Sequence, residues 1–405
     1  MTLETVTMLV VIAAAAVLSP FVVDRVEPWF KVPAVVVEIL LGVLIGPVLL
    51  GLVHETEVLA TLSDLGLAFL MFLAGYEIEF SRIRGGPLRT ASWSWVVSLA
   101  LGVAVGMLLA GPRTGLVIGL ALTTTALGIV LPIVRDSGAS RTPFGDRVLA
   151  VGTVGEFGPI LAIAFVLSGE RPLRTLVVLV LFAALAVGGA WLARKPRSAR
   201  FARVVRATLG TSSQVAVRLC VLVVIGMFAL AETLGLDPVL GAFTAGILVH
   251  LFLGAGDPAE AAVVTPRLEG IGFGFLVPIF FVMSGVVLDV RSIIEEPAVL
   301  ATVPLFAVLF LAVRGLPTFL AHRRALGGRD ALALGFMSAS ALPLLVVITT
   351  VGVGAGVLPP ANAAALVVAG IVSVLVYPMV AERLRGDVPV PGGAERTDED
   401  RSDAL

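Results

Sequence analysis

The sequence predicts an all-α protein that crosses a membrane many times. Hydrophobic residues make up 58% of its 405 residues and charged residues 14%, and the mean hydropathy is +1.06. Soluble domains are about 45–50% apolar and about 25% charged. Apolar stretches also recur at lengths near the roughly 20 residues that cross a bilayer. Such stretches form helices, because the hydrocarbon interior offers the backbone no other hydrogen-bond partners.

Thirteen such stretches follow one another, separated by charged or Pro/Gly-rich breaks. An odd number of spans between two six-span units places those units in opposite orientations. We therefore predict one membrane domain, 1–385, with inverted six-helix repeats at about 5–168 and 212–382 and a linker helix at 173–193. The spans lie near 5–23, 32–50, 60–80, 88–110, 114–134, 144–168, 173–193, 212–232, 237–254, 270–289, 298–320, 330–352 and 360–382.

Loop charge predicts the orientation. With the N-terminus outside, the inward loops and residues 383–385 after the last span hold twenty Arg and Lys residues, and the outward loops hold four. This asymmetry obeys the positive-inside rule. The first span has no basic residue before it, so we interpret it as a retained span. The charged, Pro/Gly-rich tail at 386–405 is predicted to be disordered and cytoplasmic.

Several function classes lack their sequence signals. The single cysteine, Cys220, excludes a disulfide framework, and the three histidines have no zinc spacing. A nucleophile–base set and a phosphate loop are both missing from the sequence. A net charge of −1 with no basic tract gives no reason to expect nucleic acid. We predict neither an enzyme nor a bound cofactor.

One carboxylate stands out. Glu156 is central in the stretch 144–168, where a charge costs roughly 2.5–3.5 kcal/mol even on the lenient insertion scale. A carboxylate there can hold a proton or a dehydrated monovalent cation, but not both. Competition for one site that faces each side in turn is sufficient for exchange. The alternative is a structural carboxylate, ion-paired to a helix residue such as Arg314 or kept protonated.

Two spans combine small polar residues with proline at corresponding places in the two halves. The first, 121–134, holds Thr123, Thr124, Thr125 and Pro132. Such patterns predict broken helices, whose ends offer carbonyls or dipoles to ions at mid-depth. The second span, 335–350, has the same pattern and holds Ser338, Ser340 and Pro343. The alternative for both spans is a pair of ordinary proline-kinked helices.

Other charged residues also lie within spans. Arg314, about six residues from the predicted cytoplasmic end of its span, is a counter-charge for Glu156 or a side chain that reaches the headgroups. Glu38 lies beside glycines and is interpreted as structural or as part of an interface. Glu77 and Glu79 are near the cytoplasmic end of their span, where a solvated helix terminus is expected.

Five segments together resemble the monovalent cation/proton antiporter superfamily, in its branch of Kef-type and NapA-type bacterial antiporters. The resemblance extends from about residue 30 to 385, nearly the whole membrane domain. The segments are "VVVEILLGVLIGP", "LSDLGLAFLMFLAGYEIEF", "ALTTTALGIVLPIVRD", "ALAETLGLDPVLGAFTAGILV" and "VPIFFVMSGVVLDV", all in the expected order.

This resemblance implies an NhaA-like inverted-repeat core that moves like an elevator against a dimerisation domain. The family's ion-binding aspartate falls on Glu156, the first member of its polar pair on Gly155, and its basic residue near Arg314. The chain departs from the family in having Glu for Asp, no polar residue at 155, and no acid in the second broken helix. One carboxylate then suggests one cation for one proton.

The sequence-based prediction is therefore a homodimeric antiporter of the bacterial inner membrane, in contact with lipids, that exchanges Na⁺ or K⁺ for protons at Glu156. The threonines, the serines and the broken backbone would complete the coordination, and Arg314 would tune the charge. Two alternatives remain open: a proton-coupled transporter of an organic ion on the same scaffold, and a non-transporting membrane sensor or channel-like protein.

Overall fold

The structure is a computed structural model. It describes residues 3–26, 32–77, 85–166, 214–234, 236, 238–254, 258–295 and 297–385, with single positions at 177, 180, 181, 184, 188, 191, 207 and 208. Glu79 and the tail at 386–405 lie outside these residues, as does nearly all of the predicted linker helix at 173–193.

Every regular element among the described residues is helical, which confirms the predicted all-α fold. Twelve of the thirteen predicted spans fall in this part of the chain, and eight helices there are long and apolar enough to cross a membrane. The α-helices are Leu3–Val26, Ala34–Ile45, Glu57–Tyr76, Gly86–Ala110, Pro112–Ala121, Leu127–Asp136, Pro143–Val166, Val215–Thr233, Pro238–Gly254, Pro258–Ile271, Val277–Val286, Val290–Glu295, Pro297–Phe310, Leu316–Leu326, Gly328–Ser338, Pro343–Gly354 and Pro360–Arg385.

Two spans are interrupted where the sequence predicts broken helices. We call Pro112–Ala121 with Leu127–Asp136 the first broken helix, and Gly328–Ser338 with Pro343–Gly354 the second. Each follows the preceding helix through one glycine with a positive φ, +76° at Gly111 and +80° at Gly327. Glycine tolerates this conformation because it has no Cβ, so a short reversal is possible at both places.

The two halves of the chain make reciprocal contacts. Ala34–Ile45, the second span of the first half, packs on Val277–Val286 in the third span of the second half. Glu57–Tyr76, the third span of the first half, packs on Pro238–Gly254, the second span of the second half. The predicted inverted repeats, related by a two-fold axis, would make reciprocal contacts of this kind.

Glycines allow these helices to approach closely. A Cβ on Gly42 would overlap the carbonyl oxygen of Val282, and one on Gly246 would overlap the carbonyl oxygen of Phe72. Small residues at such crossings are typical of membrane helices. Gly42 and Gly246 therefore pack against helices of the same chain.

The described helices form two groups, with most contacts inside each group. The scaffold helices lie within 3–76 and 215–286. The core helices lie within 86–166 and 297–385 and include both broken helices. The two groups also pack against each other, for example where the Phe157 ring stacks on Phe243.

Candidate functional site

The two broken helices meet at their interruptions, 122–126 and 339–342. The Thr125 hydroxyl donates a hydrogen bond of 2.7 Å to the backbone oxygen of Ser338. The backbone N–H of Ala126 donates one of 2.6 Å to the backbone oxygen of Ser340. Each break thus satisfies backbone groups of the other, which is how non-helical backbone is tolerated at membrane depth.

The three threonines are all buried but play different roles. Thr123 and Thr124 donate their hydroxyl protons to Leu120 and Ala121 in their own half-helix, over 2.8 and 2.9 Å. Only Thr125 reaches the other broken helix. Within the described chain, the backbone oxygens of Thr123 and Thr124 accept no hydrogen bond, so they remain available as oxygen ligands.

Glu156 lies beside the first break, on the helix Pro143–Val166. Its Oε1 atom accepts a hydrogen bond of 3.1 Å from the backbone N–H of Leu127, and the N–H of Gly128 also donates to its carboxylate. Leu127 and Gly128 are the first two residues of Leu127–Asp136, the second half of the first broken helix. The positive end of that helix dipole therefore stabilises the carboxylate.

Arg314 is fully buried, with 0% of its surface exposed. Its Nε donates to the Thr125 hydroxyl over 3.0 Å and its Nη2 to the backbone oxygen of Val151 over 2.8 Å. Nη1 has no hydrogen-bond partner among the described residues. The guanidinium therefore lies at the helix crossing and not at the headgroups.

Arg314 makes no ion pair within 4.0 Å with Glu156 or with any other carboxylate of the described residues. Arg314 instead packs against Gly155, the residue that precedes Glu156 in the chain. A Cβ on Gly155 would overlap the Thr125 hydroxyl and lie 2.8 Å from Arg314 Nη2. Gly155 is therefore the residue that makes room for the guanidinium at the helix crossing.

The remaining predicted residues surround the second break. The Ser338 hydroxyl donates to the backbone oxygen of Gly335 over 2.8 Å. The Ser340 hydroxyl is fully buried and has no partner among the described residues. Pro343 begins the following half-helix, and Pro132 lies within Leu127–Asp136.

Comparison with known proteins gives the family. The family model described as "Sodium/hydrogen exchanger, transmembrane" matches residues 11–384. The chain belongs to the sodium/hydrogen exchanger family. It is thus a multi-pass membrane protein of a transporter family.

Curated relatives agree with this assignment. YjbQ of Bacillus subtilis, named for Na⁺/H⁺ antiport, is 30% identical over 93% of this chain. The chain spans only 62% of the length of YjbQ. A Na⁺/H⁺ antiporter of Enterococcus hirae is 24% identical, over 87% of this chain and 91% of its own. The Na⁺/H⁺-K⁺ antiporter GerN of Bacillus cereus is 24% identical, over 85% of this chain and 88% of its own.

A solved structure has the same fold. The sodium proton antiporter MjNhaP1 from Methanocaldococcus jannaschii matches 95% of this chain and 100% of its own with a TM-score of 0.70, at 16% identity. The match confirms the predicted antiporter fold for this member of the exchanger family.

A cavity of about 710 Å³ lies between the scaffold and core helices of this exchanger-family chain. Glu156 and Pro343 are among its core lining residues, and Glu38 and Glu77 are among its scaffold lining residues. The cavity extends to Val32, at the end that loop charge predicts to be cytoplasmic. It gives the Glu156 carboxylate a path towards that side.

Sequence reasoning missed the second wall of this cavity. Glu38 was interpreted as structural or as part of an interface, and Glu77 as a solvated helix end. Both line the cavity, and Glu77 acts electrostatically on Glu156. The sequence shows that both residues are acidic. That they line the same cavity depends on how distant spans pack. The described residues contain no cluster of three or more metal-ligating side chains.

Proposed function

We propose that this chain exchanges a monovalent cation, Na⁺ or K⁺, for protons across the bacterial cytoplasmic membrane. The observation that carries the proposal is the position of Glu156. Its carboxylate lines a cavity of about 710 Å³ and caps the half-helix at the crossing of two broken helices. Membership of the exchanger family and the names of the relatives support the same substrates.

Exchange follows from competition at this carboxylate. A cation at Glu156 replaces its water shell with the carboxylate and with backbone oxygens released by the first break, such as those of Thr123 and Thr124. A proton on Glu156 removes the negative charge and expels the cation. Ser340, whose buried hydroxyl has no partner among the described residues, is the candidate ligand from the second break.

The charge balance supports one cation for one proton. Arg314 remains at the crossing through its bonds to Thr125 and Val151, so its charge travels with the site in both loaded states. Glu156 carries either a cation or a proton, and each has one positive charge. The moving unit is then equally charged in both directions, which makes the exchange electroneutral.

Alternating access would come from movement of the core helices against the scaffold helices. The cavity lies on this boundary, and its two walls belong to the two groups. Sliding of the core would carry Glu156 to the other side of the membrane. We place the N-terminus outside and the C-terminus in the cytoplasm, and expect a homodimer held by scaffold helices.

The test is cation-induced pH change in proteoliposomes, with Na⁺, K⁺ and Li⁺ compared for the wild type and Glu156→Gln. The amide keeps the size of the side chain but removes its charge. We expect exchange by the wild type and none by the variant, with the ion series naming the substrate. Protein recovery and melting temperature in detergent check that the variant folds.

The volume of the cavity is the observation that favours the second candidate, a proton-coupled transporter of an organic ion. About 710 Å³ is far more than a dehydrated metal ion occupies. If the wild type is inactive with all three metal ions but moves protons when an organic cation is added, this candidate replaces the first. If neither the metal ions nor the organic cation causes a pH change with the wild type, the non-transporting sensor is favoured instead.

A further inference from the structure

The proposed exchange at Glu156 does not explain the environment of Glu38. It lies on Ala34–Ile45, a scaffold helix, and only 7% of its surface is exposed. No hydrogen bond or ion pair to its carboxylate is made by the described residues. The residue nevertheless lines the cavity that it shares with Glu156.

A carboxylate in this position is costly, because burial of an ionisable group without a partner costs several kcal/mol. A structural carboxylate would be expected to bond a neighbouring backbone or side-chain donor. Glu38 instead lines a cavity of about 710 Å³, so the partner that it lacks must be mobile. Water, protons and small cations are the species that can reach it there.

We propose that Glu38 is a second cation-binding station, fixed on the scaffold wall, that receives the cation entering from the cavity side before Glu156 takes it. The inference rests on the proposed function and adds a residue to its pathway. Two carboxylates in one low-dielectric cleft concentrate cations there.

Because Glu38 lies on the scaffold, it is expected to act on one side of the membrane only. Glu156 belongs to the core helices and is expected to face each side in turn, whereas Glu38 stays on its wall. Glu38 therefore assists binding from the cavity side and has no part in binding from the opposite side. A residue that only supports the fold would change both sides alike.

The experiment measures exchange in proteoliposomes of known orientation, with the cation added on one side at a time. For Glu38→Gln we expect the apparent KM for the cation on the cavity side to rise on the order of ten-fold, with kcat on that side little changed. The KM on the opposite side should stay at the wild-type value. Glu38→Asp, which restores the charge, should recover most of the affinity.

Asp64→Asn is the matched control, because Asp64 is an exposed scaffold acid that does not line the cavity. It should leave both KM values unchanged. Equal changes on both sides, or a Glu38→Gln variant with the wild-type KM, would overturn the inference while exchange by the wild type still upheld the proposed function. Absence of exchange in the wild type would reject both.

Discussion

At the scale of single residues, the site depends on a glycine beside a buried cation. Arg314 has no carboxylate within 4.0 Å among the described residues, and one of its nitrogen atoms lacks a partner there. Burial of such a charge is expensive, so the surrounding oxygens must be held accurately. Gly155 allows this because its missing side chain leaves the space that Thr125 and Arg314 occupy.

We therefore expect Gly155→Ala to lower the free energy of unfolding by about 1–3 kcal/mol, the usual cost of overpacking a tight core. The added Cβ would overlap the Thr125 hydroxyl and press on Arg314. Thermal unfolding in detergent measures the loss, and exchange activity should fall with it.

Gly226→Ala is the control for that substitution. Gly226 also lies in a helix, Val215–Thr233, but a Cβ there meets no atom within 4 Å. Alanine favours helices over glycine by about 1 kcal/mol, so this variant should be as stable as the wild type or more so. Equal losses for the two variants would contradict the account of Gly155.

At the scale of elements, the broken helices hold each other through very few bonds. The sequence predicted both breaks from their threonines, serines and prolines. It could not distinguish Thr125, which reaches Ser338, from Thr123 and Thr124, which bond their own half-helix. Adjacent residues differ in this way because the backbone turns at the break, and the turn is fixed by the opposing helix.

Thr125→Val should destabilise the crossing. Valine has nearly the same shape but cannot donate to Ser338 or accept from Arg314, and the buried groups left unpaired cost about 1–3 kcal/mol. The melting temperature in detergent measures the effect, and a double-mutant cycle with Arg314→Gln should give a non-zero coupling energy.

Thr349→Val is the matched control for the crossing. Thr349 is equally buried, but its hydroxyl donates to Val346 in its own helix. Its loss should cost less, since the Val346 carbonyl keeps its place in the helical ladder. A smaller effect at Thr125 than at Thr349 would show that the contact between the two breaks contributes little.

At the scale of the whole molecule, the cavity between scaffold and core decides which side reaches Glu156. Its scaffold lining includes Val32, Ala74 and Glu77, which lie at or near helix ends. The loops next to these helix ends carry the positive charge expected in the cytoplasm. The structure thus corresponds to the state that we propose to be open towards the cytoplasm. The opposite state requires the core helices to move.

Cysteine labelling tests this orientation. The native Cys220 is buried and can be replaced by alanine, after which Ala74→Cys introduces one thiol into the cavity wall. A membrane-impermeant maleimide should label it in inside-out vesicles and much less in right-side-out vesicles.

Ala363→Cys is the labelling control, because Ala363 is buried in Pro360–Arg385 and does not line the cavity. It should resist the reagent in both kinds of vesicle. Faster labelling of Ala74→Cys from the outside would reverse the proposed orientation of the chain.

The sequence by itself determined the membrane class, the helical spans and the two breaks, and it predicted a role for Glu156. These features depend on local composition: apolar length, proline and small polar residues, and the cost of a charge at mid-depth. Only the tertiary structure decided that Arg314 bonds Thr125 and Val151 without an ion pair, and that Glu38 and Glu77 share a cavity with Glu156. The residues that come together in this way are far apart in the chain, so their contacts are fixed by how helices pack and not by any short stretch of sequence.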